Sequence, residues 1–393
     1  MSNIYWILSS SIYHGSSRIH GYNIHKELVR KGFQSTILFD LIDYRPYAYF
    51  NQSHFKLFGR FLQPHDLVIL QKLKDENTLK FIDYLQRLSV RTVFLDCDLP
   101  VNEKIARQVD LTIVPSNAMA EAYCQEGITN MQVIPDAVEE FTSPSEQAQK
   151  NHGPEFKCAW FGVGNQRRWP AVQFLEKIFE KPGLENWTFT SFSNYKKADE
   201  KWTAQTLSRI KAEYDAVAIP VLEDGGEFTV KSANKITQSM ALGLPVLASP
   251  MKAYLEVVED QVNGLICRDE NDWIRNFQRL ENEDYYQKIR KNGLITAQEY
   301  SPEEIIPLWI EALQLNQDYQ TADQFALAKP IAALRRQVYH NLYKASQGNA
   351  FYLDMLKASV NPWQRLGYQL RYNAKDKILN WLKRPQPSKL LNL

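Results

Sequence analysis

Two lysines lie at the start of a predicted helix in the second half of the chain. Lys231 and Lys235 flank Ser232, a residue type that caps helix N-termini, and the helix is followed by Gly243-Leu244-Pro245-Val246. A lysine in the first helical turn opposes the helix dipole, whereas a bound anion reverses that cost. We therefore predict a diphosphate site formed by the backbone of this helix start with Lys231, Asn234 and Lys235; a solvated surface lysine is the alternative.

Small residues and arginines follow the first predicted strand of the second half. Gly162 and Gly164 allow the backbone to approach a ligand closely, and Arg167 or Arg168 could neutralise a departing diphosphate. A turn with two surface arginines is the alternative. The Gly-x-Gly spacing is a weak signal by itself.

A buried strand, Thr92–Leu95, runs directly into two carboxylates at Asp96 and Asp98. One carboxylate could act as a general base that takes a proton from an attacking hydroxyl group. The pair could instead coordinate a divalent metal ion together with phosphates, because Asp-x-Asp after an apolar strand is typical of such sites. Aspartates that cap a helix or form a turn are the third interpretation.

The loop after the first strand is crowded with hydroxyl groups, histidines and an arginine. His14 is an alternative candidate for a base, although a loop histidine is often only a surface residue. The other side chains are predicted to line the acceptor side of a cleft. These acceptor-binding candidates are Ser10, Ser11, Tyr13, Arg18 and His20.

Short apolar strands alternate with amphipathic helices from residue 1 to about residue 310, which indicates an α/β fold with two doubly wound parallel sheets. Ligands bind at the carboxyl ends of the strands in such sheets, and the motifs above follow predicted strands. Between the two series, a polar segment without periodicity is a predicted linker. The predicted organisation is an N-terminal Rossmann-like acceptor domain at 1–141, a linker at 142–154, a C-terminal Rossmann-like domain at 155–320 and a helical basic tail at 321–393.

The composition is that of an ordinary globular protein with two domains, since the 393 residues are 44% apolar and 23% charged. The four cysteines have neither metal-ligand spacing nor the density of a disulfide framework, which favours a reducing, cytoplasmic compartment. The first strand has no basic region before it, unlike a signal peptide, and no apolar run approaches the roughly 18 residues of a membrane span.

The second half resembles the nucleotide-binding segment of GT-B glycosyltransferases, in which a helix precedes a Gly-x-Pro-Val turn into a strand. Asn263-Gly264-Leu265-Ile266 is similar to the Asn-Gly-Leu-Leu turn of that family. Val133-Ile134-Pro135-Asp136-Ala137-Val138 is similar to its Val-Ile-Pro-Asn-Gly-Val, with Asp136 and Ala137 as departures. The resemblance covers most of residues 1–310. It implies two Rossmann-like domains that face a cleft, with a nucleoside-diphosphate sugar, a UDP-sugar, in the C-terminal half and a saccharide or lipid-linked saccharide acceptor in the N-terminal half.

The resemblance also suggests roles for individual side chains. Gln238 lies one turn beyond Lys235 on the same helix face and could reach a ribose hydroxyl. Asp98 lies where xanthan-type glucuronosyltransferases carry an aspartate after a similar strand. The metal site ranks second, because GT-A enzymes do not need the second Rossmann-like series with its Gly-x-Pro-Val turn. The acidic loop before the helix corresponds to the family's loop around the donor sugar, although an acidic surface loop is an equal alternative. Its candidates for sugar contacts are Glu227, Phe228 and Thr229.

One departure from the family concerns the stereochemistry of the transfer. Many retaining members carry two glutamates eight positions apart, where this chain has Val230 and Gln238. The Lys and Gln spacing of Asn234–Gln238 is instead similar to that of the xanthan-type enzymes, which are inverting and membrane-associated. We predict a metal-independent hexosyltransferase that leans towards inversion, needs no cofactor besides its donor substrate and builds a surface glycan. The alternatives are a GT-A-type enzyme with a metal at Asp96 and Asp98, and a non-catalytic GT-B-like saccharide-binding or partner subunit.

Basic and aromatic residues are concentrated near the C-terminus. From Lys329 to Leu393 the chain carries 12 Lys and Arg against 2 Asp and Glu. Between Pro362 and Arg384, tryptophans and aliphatic residues interleave with cations, as in a helix that lies on an anionic membrane. One interpretation is that the tail binds the inner face of the cell membrane, and the alternative is that it only packs back on the N-terminal domain; the two are compatible on different faces. No nucleic-acid partner is expected, because no recognised binding motif is present.

Overall fold

The framework of the protein is a pair of parallel β-sheets. The computed structural model describes residues 3–10, 12, 14–40, 55, 58–142, 155–166, 168–222 and 230–315. Within these residues the strands of the first sheet are β1 (Ile4–Ile7), β2 (Ser35–Phe39), β3 (Leu67–Gln71), β4 (Arg91–Leu95), β5 (Leu111–Val114) and β6 (Met131–Val133). Those of the second sheet are β7 (Phe156–Phe161), β8 (Trp187–Ser193), β9 (Glu200–Lys201), β10 (Ala216–Ile219), β11 (Val246–Ala248) and β12 (Leu265–Ile266).

Both sheets have a doubly wound strand order. The first runs β2-β1-β3-β4-β5-β6 and the second β12-β11-β10-β7-β8-β9, and all pairings between these strands are parallel. The strand order reverses between β1 and β3 in the first sheet and between β7 and β10 in the second. Crevices at such reversals, at the carboxyl ends of the strands, are where open α/β sheets bind ligands. The predicted α/β fold is confirmed.

Helices cover both sheets. The first begins as Gly15–Ser17, continues as a π-helical stretch at Arg18–Asn23 and ends as Ile24–Arg30. The other helices of the first half are Glu76–Arg87, Glu103–Gln108 and Asn117–Gln125. Those of the second half are Trp169–Phe179, Thr206–Glu213, Asn234–Ala241, Lys252–Leu255, Glu270–Leu280, Glu283–Gln298 and Pro302–Ala312. Several starts are fixed by side-chain caps of the expected type; Ser116, for example, accepts a hydrogen bond from the N–H of Met119.

The last described helix belongs to the core of the first half. Helix Pro302–Ala312 packs beside the first sheet, and its Trp309 lies against Trp6 of β1 with ring centroids 5.8 Å apart. Both rings are almost fully buried. The chain thus crosses back to the first sheet well before residue 320, where the sequence places the end of the second domain. The predicted tail at 321–393 lies outside the described residues.

Trp309→Ala should destabilise the first half of the molecule because it removes a large buried side chain that other core residues contact. The expected loss is about 3–5 kcal/mol of unfolding free energy. Urea unfolding followed by tryptophan fluorescence measures it, with Glu303→Ala on the exposed side of the same helix as the matched control. Equal midpoints for the two variants would contradict the packing described above.

Several hydrogen bonds join the two halves directly. The N–H of Val138 donates to the carbonyl of Tyr300 at 2.9 Å, and the N–H of Thr142 donates to that of Ala241 at 2.7 Å. From the second half, the carboxylate of Glu256 accepts from the first backbone N–H groups of helix Asn117–Gln125, at 2.8 and 3.0 Å. These contacts fix how the carboxyl ends of the two sheets face each other.

Candidate active site

A cleft of about 700 Å³ lies between the carboxyl ends of the two sheets. Loops after β1, β3 and β4 line one wall, and loops after β7, β8 and β10 with helix Asn234–Ala241 line the other. The predicted site residues on the cleft wall are Ser10, His14, Arg18, His20, Asp98, Gly162, Gly164, Arg168, Lys231, Ser232, Asn234, Lys235 and Gln238. Six predicted residues lie outside the described part of the chain and stay predictions: Ser11, Tyr13, Arg167, Glu227, Phe228 and Thr229.

Lys235 is the cation most available to an anion in this cleft. Its ammonium lies 5.0 Å from the ring centroid of Trp160, which gives it a cation–π contact. Burial, together with the positive charges of Arg168 and Lys231, lowers its pKa to about 7. Among the described residues, no carboxylate contributes to its electrostatic surroundings. A bound anion would supply the opposite charge that this lysine lacks.

The glycine loop after β7 is shaped around this lysine. A side chain at Gly162 would overlap the Lys235 ammonium, so the glycine allows the lysine to lie against the backbone. The N–H of Gly164 donates to the Ser193 hydroxyl at 2.8 Å, and a Cβ at this glycine would come within 2.6 Å of Tyr195. Close packing therefore excludes a side chain at Gly164, and a side chain at Gly162 would push the lysine away; the close approach of both glycines to a ligand stays a prediction.

The start of the helix differs from the prediction. The helix begins at Asn234 with Ala233 at the N-cap position, so Ser232 is not the N-cap. The Ser232 hydroxyl instead donates a 2.5 Å hydrogen bond to Asp136 Oδ2 of the other half, and it accepts only a long 3.4 Å bond from the N–H of Asn234. The hydroxyl therefore serves mainly as a donor to a buried carboxylate, which is a strong acceptor, and not as the acceptor of a helix cap.

Gln238 joins the two halves of the molecule. Its Oε1 accepts from the N–H groups of Glu139 at 2.6 Å and Glu140 at 3.4 Å, and its Nε2 donates to the carbonyl of Glu140 at 2.7 Å. Among the described contacts, one amide N–H remains for the ribose hydrogen bond that the sequence predicts. The nearby Val230 is buried in the core of the first half, and its carbonyl accepts from the Ser116 hydroxyl at 2.9 Å.

The two aspartates after β4 form salt bridges with lysines from the loop after β3. Lys74 lies 2.7 Å from Asp96 Oδ2, and Lys72 lies 2.5 Å from Asp98 Oδ2. Asp96 is fully buried and also accepts from the Tyr123 hydroxyl at 2.6 Å. A divalent ion would have to displace these ammonium groups, so the pair does not fit the metal site considered above.

Asp98 is half-buried and faces the donor side of the cleft. Burial by itself would raise its pKa, but the ammonium of Lys72, followed by those of Lys231 and Lys74, outweighs burial and lowers the pKa. Lys231, which comes from the second half, lies 3.9 Å from Asp98 Oδ1. The carboxylate is therefore ionised at neutral pH and stands beside a cation of the predicted diphosphate site.

Side chains of the loop after β1 form hydrogen bonds and a salt bridge within the protein, although the sequence predicts them as contacts for the acceptor. Ser10 is buried and bonded to Ser17, with the two hydroxyl oxygens 2.9 Å apart. Arg18 forms a two-pronged salt bridge with Glu139 at 2.6 and 3.0 Å, and its guanidinium lies 5.7 Å from the ring centroid of Trp202. His14 lines the cleft and is half-buried.

Three functional candidates were missed at the sequence level. Lys72 follows β3 with a positive φ of 57°, a strained conformation often found at functional sites. Asp136 forms an ion pair with His20 in which Nδ1 and Oδ1 are 2.8 Å apart. Trp160 on β7 forms the cation–π contact with Lys235. Because ligands bind at strand ends, the sequence could have pointed to the loop that holds Lys72. The departure from the family's asparagine could have pointed to Asp136. Neither signal identifies the residue with which the side chain pairs.

Two properties of the described residues bear on metals and membranes. No group of three or more His, Cys, Asp and Glu side chains among them is placed to hold a metal ion. None of their helices combines the length and apolarity required to cross a bilayer.

Comparison with known proteins finds one family model that matches part of the chain and several solved structures of similar fold. Residues 128–283 match the family described as glycosyl transferases group 1. The structure is similar to Anabaena HepE in complex with UDP and glucose, with 17% identity, a TM-score of 0.56, and coverage of 80% of this chain and 100% of that chain. No curated protein matches the sequence.

Two further structures are similar at low sequence identity. For the sucrose-phosphate synthase of Thermosynechococcus elongatus the identity is 14% and the TM-score 0.57, with 80% of this chain and 98% of that chain covered. For the lipopolysaccharide outer core galactosyltransferase WaaB the values are 12% and 0.55, with coverages of 80% and 99%. At such identities the likeness concerns the fold.

Proposed function

We propose that this chain, which has the GT-B glycosyltransferase fold and matches the glycosyl transferases group 1 family over residues 128–283, transfers a sugar from a nucleoside-diphosphate sugar to a saccharide or lipid-linked saccharide. The GT-B fold makes the GT-A alternative wrong. The donor is held by the second half and the acceptor by the first, with the reaction in the cleft between them.

The observation that carries this proposal is the state of Lys235. It is a largely desolvated lysine at a helix start, against a glycine and without a carboxylate partner among the described residues. A diphosphate at this point would contact the ammonium groups of Lys235 and Lys231 and the guanidinium of Arg168. Three cations can neutralise the departing diphosphate, which is the main electrostatic demand of sugar transfer without a metal ion.

Asp98 is the proposed proton acceptor. In an inverting transfer the acceptor hydroxyl attacks the anomeric carbon while the diphosphate leaves from the opposite face, and the hydroxyl proton moves to a carboxylate. Asp98 is ionised, partly exposed to the cleft and on the wall opposite the glycine loop. His14 on the same wall is the second candidate for this role.

The relatives support UDP and a glycan acceptor. HepE is described in complex with UDP and glucose, and WaaB is described as a galactosyltransferase of the lipopolysaccharide outer core. We extend both features to this chain, with surface-glycan synthesis at the inner face of the cell membrane as the setting. The basic tail at 321–393 would hold the enzyme there, and its deletion from Pro362 onward should abolish binding to anionic vesicles.

A donor panel tests the proposed function. Incubation with different UDP-sugars in the presence of a chelator should release UDP slowly from at least one of them, and Lys235→Met should abolish the release. The non-catalytic alternative gains support from Val230 and Gln238, which form contacts between the halves where retaining relatives carry glutamates. A panel with neither turnover nor UDP binding would favour that alternative.

A further inference from the structure

His20 and Asp136 form a buried ion pair on the acceptor wall of the cleft. Their side chains are only 9% and 3% exposed, and His20 Nδ1 lies 2.8 Å from Asp136 Oδ1. His20 belongs to the π-helical stretch Arg18–Asn23, an irregularity that is frequent at functional sites. A buried ion pair is costly to desolvate and contributes little net stability by itself. Its presence on a cleft wall therefore calls for a functional explanation.

Asp136 connects this histidine to the donor helix. Its second oxygen, Oδ2, accepts the 2.5 Å hydrogen bond from the Ser232 hydroxyl, two residues before the helix begins. The Asp136 carboxylate and the Ser232 hydroxyl thus link His20 to the segment just before helix Asn234–Ala241. His20, Ser232 and Lys235 all line the same cleft.

The surroundings favour a protonated ring. Asp136 Oδ1 is buried 2.8 Å from Nδ1 and has no other donor among the described residues, so Nδ1 carries a proton in either the charged ring or the neutral Nδ1–H tautomer. Burial by itself would lower the pKa of His20, but the charge of Asp136 outweighs burial and raises it well above 6.5. Arg18, the nearest cation along the same helix, is committed to Glu139.

A neutral residue at position 136 would not have this effect. The family that the segment Val133–Val138 resembles has asparagine there, which carries no charge. The aspartate of this chain therefore adds a cation to the acceptor wall. Cys97 interacts with the His20 ring, but its thiol is a weak hydrogen-bond acceptor, which a phosphate oxygen would replace.

We propose that His20, held by Asp136, donates a charged hydrogen bond to the diphosphate of the sugar donor. This inference rests on the proposed function and adds to it a contact from the acceptor domain. The diphosphate would be neutralised from both walls, by Lys235 and Arg168 on one side and His20 on the other. The ring keeps its proton throughout, so its role is to stabilise the leaving group and not to accept the hydroxyl proton.

Two variants test the inference. Asp136→Asn keeps the shape of the side chain and removes the charge, whereas His20→Gln removes the ring. Both should weaken UDP binding about tenfold or more at pH 7.5, which calorimetry measures, because a hydrogen bond to a charged group is lost. Asp136→Asn should also make His20 neutral at that pH, which the nitrogen NMR shifts of isotopically labelled histidine report.

His25 provides a matched control on the same helix. Burial lowers its pKa to about 4, and its Nδ1 lies 2.8 Å from the Ser35 hydroxyl, so it is a neutral structural histidine. His25→Gln should leave UDP affinity unchanged. Unfolding midpoints of all variants show whether they remain folded. Ser232→Ala leaves the ion pair intact and removes the hydroxyl group that links Asp136 to the start of helix Asn234–Ala241.

The outcomes separate this inference from the proposed function. If the wild-type protein binds no UDP, the donor proposal fails and this inference fails with it. If UDP binds and Lys235→Met weakens binding, but folded His20→Gln and Asp136→Asn bind UDP like the wild type, only this inference fails. A neutral His20 in the wild type at pH 7.5 would also overturn it.

Discussion

UDP affinity should fall about tenfold for each pH unit above 7, and Lys235→Met should remove this dependence. Burial and neighbouring cations lower the pKa of Lys235 to about 7. A bound diphosphate returns this pKa towards the ordinary lysine value of about 10.4, because it supplies a negative charge beside the ammonium. Below pH 7 the ammonium is already present, whereas above pH 7 binding must first take up a proton.

Calorimetry between pH 6 and 9 measures this effect, and buffers with different ionisation enthalpies report the proton uptake directly. At pH 6.5 the methionine variant should bind UDP about 10- to 100-fold more weakly than the wild type, since a charged contact to phosphate is lost. Lys181→Met, which removes an exposed lysine of the same domain, is the control and should keep the wild-type slope. The same slope in Lys235→Met as in the wild type would contradict the assignment.

Much of the fold follows from local patterns. The short apolar runs Leu111–Val114 and Val246–Ala248 form strands, as the predicted alternation of strands and helices requires, because such runs between turns leave little freedom. Helices such as Trp169–Phe179 and Glu270–Leu280 were not predicted. Both pack on the core of the second sheet through widely spaced tryptophans and phenylalanines, a contact that only the folded chain reveals.

The sequence predicts which loops form the candidate site, but not which residues their side chains contact. The rule that ligands lie at strand ends places Lys235, Gly162 and Asp98 correctly on one cleft. It does not show that Ser232 and Gln238 are bonded to the opposite half, since their partners are about 100 residues away in sequence. Long-range polar contacts of this kind have no periodic signature.

Val230 and Gln238, which stand where many retaining members of the family carry glutamates, have a similar structural role in this chain. Val230 is buried in the core of the first half, and Gln238 holds the backbone at Glu139 and Glu140. Both positions therefore stabilise the relation between the two halves instead of presenting carboxylates to a sugar. This leaves the carboxylates of the acceptor wall to serve the chemistry, which is consistent with the proposed inversion.

Asp98→Asn should reduce sugar transfer by about 10²- to 10⁴-fold, the usual contribution of a general base. UDP binding should be retained, because the substitution removes an anion 3.9 Å from Lys231 and leaves that lysine to the diphosphate. The lowered pKa of Asp98 means that it stays ionised as pH falls through the usual carboxylate range, so wild-type activity should show no acidic limb near pH 4 to 5 from this group.

UDP release from the donor found in the panel, followed with and without a saccharide acceptor, measures this effect. His14→Asn is the matched variant on the same wall and tests the second candidate for the base. If Asp98 accepts the proton, the histidine variant keeps most of its activity while the aspartate variant loses it at unchanged UDP affinity. The reverse pattern would move the base to His14. Equal activity in both variants and the wild type would show that neither accepts the proton.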